Sequence, residues 1–311
     1  MSKKHKPSAP KAAVDTAAFR SGFVAMLGRP NAGKSTLTNQ LVGEKVAICS
    51  NKPQTTRNSI RGVYTDERMQ AVLIDTPGVH KPKFKLGQRM MDAVTDSLAG
   101  CDIICYLVDC TESFGAGEEY ILNMLKQYSC PVLLILNKID SIEKAQLLPL
   151  TAFYADKFDF AEIIPCSALT GENAAHLLDV IYNYLPEGPQ YYPSDMVSDF
   201  PETMLISELV REQILLVTEE EVPHSVAVTV PVMEERDNGL LYVEAIIYVE
   251  RDSQKGIIIG KRGAMLKHIG SAARTEIEKI FGCRVYLELR VRAKKDWRNN
   301  SGLLDSWEME L

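Results

Sequence analysis

The stretch GFVAMLGRPNAGKST, residues 22–36, decides the fold. Its first six residues form an apolar run typical of a buried strand, and residues 33–43 show a helical pattern. Between them, GxxxxGKS predicts a phosphate-binding loop, because its glycines let backbone N–H groups face phosphate oxygens at a helix N-terminus. The residues of this loop are Gly28, Arg29, Pro30, Asn31, Ala32, Gly33, Lys34 and Ser35.

The alternation of apolar runs and amphipathic segments continues to about residue 187. Apolar runs occur at 22–27, 69–75, 102–109, 131–137 and 161–167, and helical patterns at 33–43, 86–99, 117–129, 143–157 and 172–185. Strands that are buried on both faces and separated by helices indicate a doubly wound, mostly parallel sheet of the α/β class. We therefore expect a nucleotide-binding domain at 21–187, preceded by a disordered basic tail at 1–20.

Two polar segments are placed to complete the phosphate end of this site. Asp75-Thr76-Pro77-Gly78 follows the second apolar run, where a carboxylate can hold Mg²⁺ through water and a glycine N–H can meet the γ-phosphate. Segment 51–57 offers a threonine hydroxyl to the same ion, and we favour Thr56 over Thr55, although the sequence does not separate them. The predicted metal ligands are Ser35 and Thr56. The predicted catalytic residues are Lys34, Ser35, Thr56, Asp75 and Gly78.

Residues that follow the last two apolar runs predict recognition of a guanine base. Asp140, in the sequence NKID, can accept hydrogen bonds from two donors that guanine has and adenine lacks. Asn137 can brace the phosphate loop, and the stem of Lys138 can lie over the base. Ser167-Ala168 can offer a backbone N–H to the base carbonyl. The remaining residues predicted to contact the nucleotide are Thr76, Pro77 and Val79.

Charge is unevenly distributed along the chain. The net charge is −6, yet residues 251–300 hold 13 Lys and Arg against 5 Asp and Glu, which indicates a polyanion-binding segment. After a proline-rich linker at 188–202, the patterns from 203 to 295 run α-β-β-α-α-β, typical of an α+β domain. This domain contains the sequence GKRG, a GxxG turn that lets a nucleic-acid backbone approach while two cations reach phosphates. The predicted RNA-binding residues are Gly260, Lys261, Arg262, Gly263 and Lys267.

The composition excludes several classes of protein. With 46% hydrophobic and 24% charged residues, the chain is not disordered throughout, and no run of 18 uncharged apolar residues predicts a membrane-spanning helix. Seven cysteines without a CxxC pair predict reduced thiols rather than a disulfide scaffold or a zinc site. The N-terminus lacks the apolar core of a secretory signal, and we interpret residues 296–311 as a C-terminal tail.

The motifs GRPNAGKST, PQTTR, DTPG, NKID and SA, in this order, resemble those of the translation-factor-related P-loop GTPases, and in wording those of the Era family. The C-terminal pattern is similar to the type II KH domain of that family. The resemblance implies hydrolysis of GTP to GDP with Mg²⁺, and binding to the 3′ region of small-subunit (16S) ribosomal RNA. It also implies a role in 30S subunit biogenesis, with the nucleotide state switching the RNA-bound form. We expect a cytoplasmic monomer with peripheral association with the inner face of the cell membrane.

Two alternatives stay open at this point. A non-enzymatic RNA chaperone with a vestigial nucleotide fold, or a GTPase acting on another structured RNA, would share these patterns. An active GTPase is favoured by four intact residues, Lys34, Ser35, Asp75 and Asp140. Val79 stands where small GTPases place a water-orienting glutamine, so we expect slow intrinsic turnover, assisted by RNA, by backbone groups or by K⁺. Asn31 is the candidate ligand for K⁺.

Overall fold

The computed structural model of the chain describes residues 18–309, and its first half is built around one sheet. The strands are β1 (Arg20–Gly28), β2 (Ile60–Thr65), β3 (Met69–Asp75), β4 (Ile103–Asp109), β5 (Val132–Asn137) and β6 (Glu162–Pro165). The helices between them are α1 (Lys34–Val42), α2 (Lys85–Ala99), α3 (Ala116–Leu125), α4 (Lys144–Ala155) and α5 (Ala174–Tyr184). The strand order in this sheet is β2-β3-β1-β4-β5-β6.

Both faces of this sheet are buried, which explains why its central strands are apolar runs rather than alternating sequences. All seven residues of β3 are buried, and a separate apolar cluster lies on each face of the sheet. β1 pairs in parallel with β3 on one side and with β4 on the other. The strand order therefore reverses at the carboxyl end of β1, which is where ligands bind in doubly wound sheets.

The doubly wound α/β sheet is confirmed, and it contains one strand, β2, that the sequence did not predict. This strand pairs antiparallel with β3 at the edge of the sheet, beginning with Ile60 opposite Asp75. Its outer edge contacts the predicted linker, because the Val63 N–H donates to the Val197 carbonyl over 2.8 Å. The sequence of β2, IRGVYT, includes an arginine and a glycine and so lacks the continuous apolar run that marks its neighbours.

The second half of the chain is a three-stranded sheet with helices packed on one face. Its elements are α6 (Glu202–Val217), β7 (Ala227–Glu235), β8 (Leu240–Val249), α7 (Asp252–Ile259), α8 (Ala264–Phe281) and β9 (Arg284–Ala293). β8 lies in the middle, antiparallel to β7 and parallel to β9. Side chains of all three helices join one apolar core with the sheet. The predicted α-β-β-α-α-β order is therefore confirmed.

The interpretation of residues 296–311 as a tail needs correction, because most of this segment is folded. The helix α9 (Ser301–Met309) packs against the sheet of the second half and against α2. The Trp297 side chain is 1% exposed, and its Nε1–H donates to the Ser225 carbonyl over 3.0 Å. Trp307 of α9 lies beside it, with the ring centroids 5.3 Å apart. Because most residues around the two tryptophans are polar, the sequence of this segment does not predict a packed helix.

The predicted N-terminal tail at 1–20 lies outside the described residues except for its last three. Of these, Arg20 is the first residue of β1 and is therefore part of the sheet. Its guanidinium donates to the carbonyl oxygens of Asn183 (2.9 Å) and Leu185 (3.1 Å). These bonds fix the start of β1 to the end of α5.

We expect the burial of Trp297 to stabilise the second half of the chain. Trp297→Ala should lower the free energy of unfolding by about 3–5 kcal/mol, the range for truncating a buried large aromatic side chain. Trp297→Phe keeps a ring and loses only the hydrogen bond to Ser225 and part of the packing, so its loss should be smaller. Urea denaturation followed by circular dichroism measures both changes. Wild-type stability of Trp297→Ala would contradict the packing described above.

Candidate functional site

The predicted phosphate loop lies where the strand order reverses, between the end of β1 and the start of α1. Gly33 has a left-handed backbone (φ 96°), and a Cβ atom there would lie 2.2 Å from Asn137 Nδ2. Lys34 is 5% exposed, and its Nζ donates to the carbonyl oxygens of Gly28 (3.2 Å) and Arg29 (3.0 Å). Burial lowers the pKa of the Lys34 ammonium to about 8, a penalty that an anion beside it would relieve.

Three side-chain oxygen atoms meet beside this loop. Ser35 Oγ donates to Asp75 Oδ2 over 2.6 Å and lies 2.8 Å from Thr56 Oγ1, which is 3.3 Å from the same carboxylate oxygen. Asp75 is fully buried, burial raises the pKa of its carboxyl to about 6, and its Oδ1 has no hydrogen-bond partner among the described residues. Mg²⁺ prefers oxygen ligands of this kind, so the cluster fits the ion. The Thr55 hydroxyl is not part of this cluster, because it donates to the Lys52 carbonyl.

The DTPG loop after β3 lies directly against the phosphate loop. Thr76 Oγ1 donates to the Met26 carbonyl over 2.6 Å, which anchors the start of the loop to β1. A Cβ atom at Gly78 would lie 2.7 Å from Pro30 Cα, so a glycine is needed where the two loops touch. Pro77, whose ring restricts φ, lies between these two contacts. The structure thus places the predicted residues of both loops next to one another.

A cavity of about 550 Å³ opens in front of these groups. Its wall includes Lys34, Ser35, Thr56 and Gly78 among the predicted residues. Val79 is not part of the wall: its side chain is 5% exposed in the apolar core under the sheet. The backbone of Val79 donates to the carbonyl of the last residue of β1 over 3.0 Å. Its side chain therefore supports the loop without facing the cavity.

Asn137 joins the phosphate loop to the loops after β5 and β6. Its Nδ2 donates to the Ala32 carbonyl over 2.7 Å, and its Oδ1 accepts from the Ala168 N–H over 2.9 Å. Beside it, Asp140 Oδ1 accepts from Ser167 Oγ over 2.6 Å, and this bond lowers the pKa of the Asp140 carboxyl. Residues that are 27 and 31 positions apart are thus brought within hydrogen-bonding distance.

Several residues of the cavity wall were not predicted from the sequence, among them the polar residues Asp109, Thr111 and Glu112. Asp109 ends β4, accepts from Thr111 Oγ1 over 2.6 Å and forms a salt bridge with Lys138. This salt bridge holds the Lys138 stem at the edge of the cavity. Asp109 could have been identified, because polar residues at the carboxyl end of a parallel strand commonly face a ligand. Thr111 and Glu112 lie in a loop without such a signal.

The segment that carries Thr56 is held from its other side by the second half of the chain. Arg211 of α6 is 2% exposed and donates to the Thr55 carbonyl. Arg57 donates to the Val226 carbonyl over 2.6 Å, and burial of its guanidinium lowers its pKa to about 9. The residues on both sides of Thr56 are therefore bonded to the second half.

The predicted RNA-binding turn connects α7 to α8 beside an open groove. Gly260 has a left-handed φ of 70°, and a Cβ atom there would lie 2.6 Å from a side chain of α8. Lys261 and Arg262 are exposed, and in the described part of the chain neither forms a salt bridge. A cavity of about 520 Å³ beside the turn is lined by α8 and β9, and both Gly263 and Lys267 reach it. The groove thus combines apolar side chains of β9 with cations of α8, and the GKRG turn lies at its side.

Comparison with known proteins assigns this architecture to a family. Residues 23–138 match the family described as "50S ribosome-binding GTPase". Residues 221–298 match the family described as "KH domain". The crystal structure of Era in complex with MgGDPNP and nucleotides 1506–1542 of 16S ribosomal RNA is similar, with 40% identity and a TM-score of 0.91. The match covers 94% of this chain and 100% of that chain. The chain belongs to the Era family of GTPases. The structure of an Aquifex aeolicus Era variant bound to GDP and AlF₄⁻ matches with the same identity, coverage and TM-score.

Membership in the Era family confirms the resemblance inferred from the five motifs. It also confirms the fold that the motifs implied, a GTPase sheet followed by a KH domain. The same comparison identifies the chain as a GTPase, since the match extends over the whole of the compared Era chain.

Proposed function

We propose that this chain hydrolyses GTP to GDP and phosphate, and binds the 3′ region of small-subunit ribosomal RNA during 30S subunit assembly. The observation that carries the proposal is the oxygen cluster of Ser35, Thr56 and Asp75, present in one chain together with the GKRG groove. One matching family description mentions the 50S subunit, whereas the compared Era is bound to 16S RNA. We assign the chain to the 16S RNA, because the compared Era matches both halves of this chain.

At the phosphate end, the residues of the chain provide both an ion site and an anion site. Ser35, Thr56 and Asp75 would hold Mg²⁺, which when bound stabilises negative charge on the transferred phosphoryl group. Lys34 would donate to the phosphates in place of the loop carbonyls, and the Gly78 N–H would meet the γ-phosphate. Loss of the γ-phosphate would weaken the interaction that holds the Thr56 segment at the site. We propose that this is how the nucleotide state switches the RNA-bound form.

At the base end, we propose that Asp140 selects guanine. Ser167 and Ser141 donate to its two carboxylate oxygens over 2.6 and 3.0 Å, which fixes the orientation of the carboxylate. A carboxylate held in this way would accept from the two adjacent donors of guanine, and adenine would leave it unpaired at a cost of about 1–3 kcal/mol.

Asp140→Asn should lower GTP affinity by at least about 100-fold and raise the affinity for xanthosine triphosphate, because the amide donates where the carboxylate accepts. Competition of GTP, ATP and xanthosine triphosphate against a fluorescent guanine nucleotide measures the change. The exposed Asp159→Asn serves as the matched control and should leave all three affinities unaltered. Equal wild-type affinities for ATP and GTP would refute the assignment.

We further propose that K⁺ assists turnover, because the Val79 side chain is buried and has no polar atom with which to orient water. Asn31 has a left-handed φ of 65°, and its Nδ2 donates to the Asn51 carbonyl over 3.0 Å. Its side chain thus links the phosphate loop to the segment that carries Thr56. A cation held there would add positive charge beside the phosphates, as an arginine finger does in other GTPases.

GTP hydrolysis should be at least about tenfold faster in K⁺ than in Na⁺ at equal ionic strength, a barrier difference of about 1.4 kcal/mol. Asn31→Ala should remove most of this difference while the protein still binds GDP. Phosphate release under single-turnover conditions measures the rate without a contribution from product release. Identical wild-type rates in the two salts would exclude the ion.

At the RNA end, the GKRG turn presents two cations to the phosphate backbone. Lys261→Asp combined with Arg262→Asp should abolish binding of single-stranded 16S RNA and leave GTP affinity intact, because both glycines and the apolar core are retained. Each lost phosphate contact should reduce the salt dependence of binding by about 0.7 units for a single strand. Filter binding at several salt concentrations measures both effects, and unchanged RNA affinity would place the site elsewhere.

A matched control changes two exposed lysines of the GTPase half, Lys126→Asp and Lys144→Asp, and should leave RNA affinity nearly unaltered. The same measurements separate the two alternatives. A vestigial nucleotide fold predicts GTP binding without phosphate release. A GTPase for another structured RNA predicts phosphate release without any preference for the 16S fragment.

We propose to divide the chain into a GTPase domain at 21–187, a linker at 188–202 and a KH domain at 203–295. The folded part of the C-terminal segment belongs with the KH domain, since Trp297 and Trp307 pack on its sheet. Among the described helices, none is long and apolar enough to cross a membrane. A cytoplasmic location with peripheral contact at the inner face of the cell membrane stays a prediction from the family resemblance.

A further inference from the structure

One face of the KH-domain sheet carries an aromatic pair that the proposed function does not use. Along β9, Val285, Leu287 and Leu289 belong to the apolar core under the helices. Because side chains alternate along a strand, Tyr286 points to the opposite face. There it lies directly across from Tyr242 of β8, and the two rings stack with centroids 5.8 Å apart and planes inclined by 14°.

The pair is held in place and is open to solvent. The Tyr242 hydroxyl donates to Glu288 Oε2 over 2.9 Å, and the Arg236 guanidinium lies 4.4 Å from the Tyr242 ring centroid. Tyr286 is 55% exposed even though its ring stacks on a neighbour. An ordered aromatic ring with this much accessible surface can accept a further planar group at little entropic cost.

The β9 edge of this face favours an anionic ligand, although Glu234 lies opposite Tyr242 at the β7 edge. Arg284 and Arg292 point to the same side of β9 as Tyr286 and are exposed, and within residues 18–309 neither forms a salt bridge. Arg290 between them is neutralised by Glu244 (3.2 Å) and Glu288 (2.9 Å). The arginines without a salt bridge, Arg284 and Arg292, therefore lie on either side of the paired Arg290. Tyr286 is next to Arg284 on this face.

The two ends of this face differ in what surrounds them. At one end α9 covers the sheet, and Trp307 stacks on Tyr248 with centroids 4.5 Å apart. At the other end, Tyr286 also lines the groove cavity beside the GKRG turn, together with Lys267 and Arg274 of α8. The open end of the face is therefore continuous with the proposed RNA groove across the edge of β9.

We infer that Tyr286, supported by Tyr242, is a stacking platform for a base of the single-stranded RNA that leaves the groove over β9. This inference rests on the proposed RNA binding and extends its site. A KH groove holds about four nucleotides, so a longer strand has to continue past the rim. An aromatic ring for the base and free arginines for the phosphates are the usual elements of single-strand binding. An acidic protein segment would use the arginines but would have no need of the stacked pair.

The test compares two RNA probes in a fluorescence anisotropy titration. One is the 16S fragment 1506–1542 used with the compared Era, and the other is its tightest-binding four-nucleotide piece. Tyr286→Ala should weaken binding of the long fragment about tenfold and leave binding of the short piece within about twofold of wild type. Tyr286→Phe keeps the ring and should keep wild-type affinity for both. Tyr120→Ala, at a tyrosine of α3 that is 57% exposed, is the matched control and should change neither.

Wild-type affinity of Tyr286→Ala for the long fragment would overturn the platform. An equal loss for both probes would also overturn it, because Tyr286 would then act inside the groove alone. Unaltered GTP affinity and thermal unfolding of each variant show that the fold is retained. Failure of the wild-type protein to bind the long fragment would instead refute the proposed RNA binding, and the platform with it.

Discussion

The contact on which both sites depend is the hydrogen bond from buried Arg211 of the KH domain to the Thr55 carbonyl. Its guanidinium is also paired with Glu208, and its second terminal nitrogen has no partner among the described residues. A buried charge of this kind is costly to leave unpaired, so the carbonyl and the guanidinium tend to keep their positions together. Because Thr56 is the next residue, the geometry of the oxygen cluster and the position of the KH domain are coupled.

Further contacts extend this coupling to the RNA groove. Ile48, which precedes the Thr56 segment, is 2% exposed as a member of the KH-domain core. Glu212 Oε1 accepts from the Cys49 N–H over 2.9 Å, and its other oxygen lies 2.6 Å from Lys45 Nζ. The same ammonium lies 3.2 Å from Glu276 of α8, the helix that forms one wall of the groove. A continuous set of contacts therefore joins the segment that carries Thr56 to one wall of the RNA groove.

At the phosphate end of the GTPase sheet, two charged side chains, Lys34 and Asp75, are buried. Burial lowers the pKa of Lys34 to about 8 and raises that of Asp75 to about 6, so both charged forms are disfavoured by their surroundings. A phosphate beside the ammonium and a metal ion beside the carboxylate would each favour the charged form again. Asn137 adds rigidity, because it bonds the phosphate loop to the loop after β6 through a side chain that is 1% exposed. Asn137 therefore keeps the two loops in position, whereas Lys34 would exchange its bonds to the Gly28 and Arg29 carbonyls for bonds to phosphate.

The sequence by itself determined the features that contiguous residues encode. The phosphate loop, the DTPG and NKID segments and the GKRG turn each combine a local backbone requirement with a local chemical one, so their identity could be recognised without coordinates. Their strands could be predicted because buried parallel strands are apolar throughout. Only the tertiary structure decided the contacts between residues that are distant in the sequence. Arg211 and Thr55 are 156 positions apart, and no local sequence pattern predicts their hydrogen bond. The same holds for β2, for the docked α9 and for the Tyr242–Tyr286 stack, since burial and pairing of such mixed sequences are set by the surface they meet.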